Sequence, residues 1–237
     1  MRRRIARCRP AAGAALLVAL LCAPAAAAAQ TAPPARPAGG VPSVIPIFPL
    51  EAATLFPNGT YPLHIFEPRY RAMVADALKG DRIIGMVTLQ PGYEKDYEAR
   101  PPIFAIGSAG LITEYEELPD GRYNIVLGGL VKFRVVSEDQ GRPYRLARIE
   151  TIPEPLDATR TAALAETRKR LEALLDALSD KLPVGQPPPG MPDETLVDLL
   201  SQFLPLEARG DRQRLLELAD PLARATAIVG LLEKMIK

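Results

Sequence analysis

The chain has 237 residues, 48% of them hydrophobic, with 29 Lys plus Arg against 28 Asp plus Glu. That length allows one large or two small domains, and a sizeable core that needs no disulfide or metal staple. Trp is absent, aromatics are sparse, and 25 prolines punctuate an apolar load of mostly Leu, Ala, Val and Ile.

The first element is a leader. "MRRRIARCRP" carries Arg2, Arg3, Arg4, Arg7 and Arg9, and "AAGAALLVALLCAPAAAAAQ" adds an apolar run ending in small residues. Ala27 and Ala29 occupy the −3 and −1 positions of a cut before Gln30, so residues 1–29 read as a secretory signal peptide. The expected location is exported, in the periplasm. A mitochondrial presequence and an uncleaved membrane anchor are the alternatives, although the run is short and Ala-rich for a span. Leu21 before Cys22 argues against a lipoprotein signal. Removing the leader takes away Cys8, Cys22 and five arginines, which moves the net charge from +1 to −4. Such a chain gives no bulk electrostatic reason to expect nucleic acid or anionic lipid, and it touches a membrane only while the leader directs export.

Residues 30–43, rich in Pro, Ala and Gly, read as a flexible tether. From Val44 to about Pro155 the pattern is strand-like. "VIPIFPL" suits an edge strand because of its prolines. "FPNG" is a turn in which Asn58 and Gly59 tolerate positive φ. In "EPRYRAMVADALKG" the helical spacing of Tyr70, Met73, Val74 and Ala77 predicts a helix, with Pro68 in its first turn and Gly80 as the stop. "RIIGMVTL" reads as a buried strand. "LITEYEELPDGRYNIVLGG" reads as a hairpin on a two-residue Asp120-Gly121 turn. Gly128-Gly129 is expected to lie between two strands as a bulge or tight crossing. "VKFRVVSE" and "YRLARIETI" complete six or so mostly antiparallel strands, which fit a small barrel or folded-over sheet.

Residues 156–237 change to helical spacing. Leu164, Leu171, Leu174, Leu175 and Leu178 share one stripe. Asp193 is placed to cap "ETLVDLLSQFL". A short helix follows over "DRQRLLELA", and Asp220 with Pro221 opens a last helix. Strands then helices make an α+β fold, a small β pseudo-barrel followed by a C-terminal antiparallel bundle.

The chain holds one histidine, His64, three residues before Glu67. The pair could exchange a proton in a small hydrolase. However, residue 64 reads as extended and the helix starts only after 67, so the two need not face each other. One His and no retained Cys leave no metal site, and a G-x-x-x-x-G-K-[ST] loop for ATP is missing. "IGSAG" around Ser108 lacks the glycine spacing of a nucleophile elbow. No catalytic, cofactor-binding or metal-ligating residue is therefore assigned. An RNA-binding barrel is a further alternative by shape alone, and the charge opposes it. Phe56, Tyr61 and Phe66 are the candidate apolar contacts with a partner.

The stretch "IPIFPLEAATLFPNGTYPLHIFEPRYRAMVADALKGDRIIGMV" resembles the start of the N-terminal domain of Lon-type ATP-dependent proteases. The resemblance continues through Leu118-Pro119-Asp120-Gly121-Arg122 and Phe133-Arg134-Val135 into "LPLEARGDRQRLLELADPLARATAIVGLL". It implies a PUA-like pseudo-barrel joined to a helical subdomain, together one domain over 44–237. It further implies a substrate-recognition module without a catalytic residue, which binds unfolded or extended polypeptide and has no use for ATP. Full-length Lon continues into ATPase and serine-lysine protease modules, and this chain is expected to act without them. The leader would place it outside the ATP-containing cytoplasm, where an envelope protein could also be its partner. Within this reading Tyr70 and Phe66 pack inward, Glu67 and Arg69 pair locally, and His64 is scaffold.

Overall fold

The computed structural model describes residues 40–51, 53–93, 100–139, 141–182, 187–206 and 210–236. The expected leader (residues 1–29), most of the expected tether, residues 94–99 and residues 183–186 of "PVGQPPPGMP" lie outside them. Six strands precede four helices, with one further helix inserted early. They are β1 (Val44–Leu50), β2 (Thr60–Ile65), α1 (Pro68–Lys79), β3 (Ile83–Thr88), β4 (Ile106–Glu117), β5 (Tyr123–Asp139), β6 (Arg145–Ile152), α2 (Ala158–Ala177), α3 (Asp193–Phe203), α4 (Asp211–Glu217) and α5 (Pro221–Ile236). The architecture is α+β.

The sheet runs β2-β5-β4-β3-β1-β6, and β5 also pairs with β6. That second pairing closes β5, β4, β3, β1 and β6 into a pseudo-barrel and leaves β2 as an added strand on the first half of β5. The long β5 makes this possible: residues 123–128 face β2, residues 132–139 face β6, and β4 follows most of its other edge. The strand runs straight through Gly128-Gly129 rather than breaking there. Gly110 is opposite Gly129 and Ala109 opposite Val131, so Leu130 is an extra residue in the ladder. Such a bulge bends and twists the strand, as barrel closure requires.

β1 is an inner strand, against the expectation of an edge. Val44–Ile47 pair antiparallel with β6 and Ile47–Leu50 pair parallel with β3. Each half pairs on one side only, so a strand containing Pro46 and Pro49 needs fewer donors than a fully flanked one. The true edge is β2, and its proline guards it. Gly129 N donates to Gly59 O at 2.8 Å. Counting alternate residues from that pair directs the backbone of Thr60, Pro62 and His64 toward the open side. Pro62 has no donor to offer there, and Gln202 Nε2 of α3 takes Thr60 O at 2.6 Å. Strand addition is thereby blunted.

Inside the barrel Ile45, Ile47, Val87, Ala109, Leu111, Phe133, Ala147 and Ile149 form one core. α1 covers a second core with Tyr70, Met73, Val74 and Ala77, the four residues that the helical spacing predicts. The helices make the third. The predicted leucine stripe of α2 is buried there, with α3 and α5 packed against it. Asp157 caps α2 by accepting from Arg160 N at 2.8 Å. Asp193 is not a cap: it lies within the first turn of α3, where no side-chain cap bond forms, and accepts from Arg168 at 2.8 Å. Asp220 does open α5, through Ala223 N at 2.9 Å.

The β4–β5 hairpin closes through three residues, not two. Leu118 N donates to Arg122 O and Gly121 N to Leu118 O, both at 2.8 Å. A two-residue type I′ turn on Asp120-Gly121 would need positive φ at both, but only Gly121 has it, at 77°. Pro119 fits the first corner of an ordinary turn, and Gly121 then supplies the left-handed residue.

Candidate functional site: the β2–α1 face and the barrel–helix junction

"YPLHIFEPRY" forms β2, a short bend and the start of α1. Three residues from adjacent strands make a polar row across its sheet: His64 opposite Asn124, and Asn124 opposite Glu116. Asn124 Nδ2 donates to Glu116 at 2.8 Å, which turns Oδ1 toward His64 Nδ1 at 2.7 Å. His64 Nδ1 then carries the hydrogen, and Nε2 accepts from Arg122 at 3.1 Å. Glu67 instead receives Arg69 Nε at 2.9 Å, the local pair that the sequence suggests. His64 and Glu67 are thus directed to different partners, and the geometry assembles no proton-transfer couple. Among the described residues no group of three or more His, Cys, Asp or Glu is arranged to hold a metal.

The three candidate contact residues separate. Phe56 is fully buried in the helical core and has no surface to offer a partner. It is carried there by the Phe56-Pro57-Asn58-Gly59 turn, in which Gly59 N donates to Phe56 O at 3.0 Å and Asn58 takes φ 62°. Gly59 itself does not need positive φ. Tyr61 is half-buried. Phe66 points outward rather than inward, 60% exposed, and lies along the His64 ring with centroids 6.3 Å apart. Tyr70 does pack inward, 4.4 Å from the Phe48 ring. Tyr115 is half-exposed and, with His64 and Leu63, lines an open groove across β2, β5 and β4. The His64 face therefore combines the exposed Phe66 with a fixed polar row, whereas Tyr115, opposite Ile125 in the ladder and with Arg82 over its ring, lies on the other face of the sheet.

The second feature is the junction between barrel and helices, built around charges that sequence reasoning missed. Lys132 of β5 donates from Nζ to Leu216 O at 3.0 Å and Leu218 O at 2.6 Å at the end of α4, and pairs with Glu154 at 2.7 Å. Arg224 of α5, with no exposure, holds Glu154 through two bonds of 2.6 and 3.0 Å and Asp198 at 2.8 Å. Asp198 also accepts from Asn58 Nδ2 at 2.9 Å, which ties the turn to α3. Burial pushes the Asp198 carboxyl up to about 6, although Arg224 and Asn58 pull the other way. Burial likewise lowers Lys132. Burial is the largest single influence on Arg224 and works against its charge, but the hydrogen bonds and charges of Glu154 and Asp198 together outweigh it and raise the group. Two cations and two carboxylates share this interior, so the network is charge-balanced. Only Arg224 stands in phase with a buried apolar pattern, that of Ile228 and Leu232; Lys132 alternates with Val131 and Phe133, and Asp198 has only polar residues at helical spacing, Glu194, Thr195, Ser201 and Gln202.

Beside the network, between the end of β3 and α4, a pocket of about 400 Å³ opens to solvent. Leu89 and Phe104 line it on the apolar side, and Glu51, Gln213, Arg214 and Glu217 on the polar side. Its size and mixed lining are those of a small binding site.

Comparison with known proteins follows the same outline. The family model described as "ATP-dependent protease La (LON) substrate-binding domain" matches residues 44–234. A Lon protease of Anaeromyxobacter dehalogenans is 29% identical over 226 residues, covering 89% of this chain and 26% of the relative. Lon protease 2 of Sorangium cellulosum is 30% identical over 202 residues, covering 81% and 25%. The chain thus spans about a quarter of the length of these relatives. Among solved structures, the N-terminal domain of a Mycobacterium avium complex Lon protease superposes with a TM-score of 0.58 at 16% identity, covering 80% of this chain and 98% of that one. A Lon N-terminal domain protein from Xanthomonas campestris gives 0.54 at 22%, covering 79% and 97%. At such identities the structural likeness speaks for the fold alone.

Proposed function

Because the chain belongs to the family of Lon (ATP-dependent protease La) substrate-binding domains, we propose that it is a non-catalytic module that holds unfolded or extended polypeptide. The observation that carries this reading is the family match, which spans barrel and helices alike from residue 44 to residue 234. The blunted β2 edge argues against strand addition as the binding mode. The exposed Phe66 beside the His64 ring favours side-chain contact instead, with half-buried Tyr61 nearby on β2. The separate partners of His64 and Glu67 support the absence of catalysis. A net charge of −4 after loss of the leader weighs against RNA, and the lack of a phosphate-cradling motif weighs against ATP.

We place this activity outside the cytoplasm, on the layout of residues 1–29. A C-terminally tagged full-length chain, recovered from fractionated cells, tests both parts. The expected product begins at Gln30, sits in the exported fraction and carries polypeptides of that compartment, an envelope protein among them. A chain beginning at Met1 in the cytoplasm would overturn the location. Polypeptide hydrolysis that His64→Ala abolishes, at unchanged melting temperature, would overturn the non-catalytic reading.

A further inference from the structure

Gln213 is the least explained polar group in the pocket wall. The side chain is 2% exposed, and its Nε2 donates to Ile106 O at 3.1 Å and to Glu217 Oε1 at 2.9 Å. Both partners are acceptors, so the amide cannot be turned round. Oε1 is therefore fixed as an acceptor, and it is buried with no hydrogen-bond partner among the described residues. A buried acceptor left unpaired costs free energy and calls for a donor. The charge around it points the same way. Arg214 is already engaged by Asp211 at 3.1 Å, whereas Glu51 and Glu217 are exposed carboxylates at the rim. Among the described residues the opening is thus acidic, its floor of Leu89 and Phe104 is apolar, and the unpaired Gln213 Oε1 lies closed off within its wall.

We propose that this pocket receives a basic side chain, arginine or lysine, of the bound polypeptide. Such a side chain matches the floor and the rim, with an apolar stem for Leu89 and Phe104 and a cationic head rich in donors for Glu51 and Glu217. The inference rests on the polypeptide-binding reading and adds a residue preference to it.

Two fluorescent peptides of the same extended sequence test it, one with a central arginine and one with citrulline, which keeps the stem and loses the charge. Fluorescence anisotropy with the full chain should give a Kd about tenfold weaker for the citrulline peptide. Glu51→Gln and Glu217→Gln should each weaken the arginine peptide about threefold and leave the citrulline peptide unchanged. Glutamine at 217 keeps an acceptor for Gln213 Nε2, so the wall stays intact. Equal binding of the two peptides, or arginine affinity that neither substitution moves, overturns the inference. If neither peptide binds while an unfolded protein does, the residue preference fails and the polypeptide-binding reading stands. If nothing binds, both fail.

Discussion

Arg224 carries its charge at a position closed to water, and its neighbours are chosen to match. Glu154 and Asp198 surround the guanidinium, while Lys132 balances the second carboxylate. Removing one member of such a set strands the others, at a cost of about 3–5 kcal/mol. Arg224→Met should therefore lower unfolding free energy by about that amount in urea titrations. Adding Asp198→Asn should recover part of it, since Lys132 and Glu154 then remain as a balanced pair. The same residue sets a pH dependence of unusual sign. The folded Asp198 carboxyl lies at about 6, above its ordinary value of 3.8, so between those values the folded chain binds more protons there than the unfolded chain. The stabilising contribution of this site is full below pH 4 and is lost as pH rises toward 6, by at most about 1.4 kcal/mol per unit. The stability of the natural chain relative to Asp198→Asn should fall across that window; a rise would contradict the burial argument. None of these roles was legible from residue type alone. A lysine inside "GGLVKFRVV" or an arginine inside "PLARATAIVGLL" shows only that a charge interrupts an apolar segment, and its partners lie 22 to 86 positions away in the chain.

At the level of elements, periodicity proved reliable where one face meets one core. The residues of α1 at helical spacing, the fully buried β3 and the leucine stripe of α2 all follow from it. It misled where pairing partners decide. The two-sided, half-and-half pairing of β1 cannot be read from its prolines, and β2 is short and interrupted by Pro62. The Asp120-Gly121 signal marked the right bend, but Pro119 selected a longer turn. Close backbone approach is equally invisible in a pattern. A methyl group at Gly129 would fall far inside van der Waals distance of Phe56 O, a backbone atom that cannot swing away. Gly129→Ala should push the 56–59 turn off β5, disturb Asn58 and Asp198 with it, and cost about 1–3 kcal/mol or more. At Gly230 in α5 an added methyl group would meet nothing within 4 Å, and φ there is not positive. Gly230→Ala should instead stabilise by about 0.5–1 kcal/mol. Thermal melts of the two variants, side by side, separate steric contact from helix propensity.

Across the whole molecule, the barrel and helices are joined by buried charge and by the 56–59 turn rather than by apolar packing alone. Phe56 enters the helical core, Gln202 holds Phe56 N at 3.1 Å and Thr60 O, and Lys132 grips the end of α4. The pocket beside Gln213 has walls from both parts, so its shape depends on that joint staying fixed. A preformed pocket suits capture of a flexible chain, because the ordering cost then falls on the ligand alone. Family and fold could be read from motifs spread along the chain. The junction pocket could not, since Glu51, Leu89, Phe104 and Gln213 meet only through tertiary packing. The most direct test is an anisotropy titration of the full chain against one labelled protein, presented unfolded and then natively folded. Saturable binding of the unfolded form, much weaker with the folded form, is the expected result. No saturation with the unfolded form, or equal affinity for both, would contradict a module that recognises unfolded polypeptide.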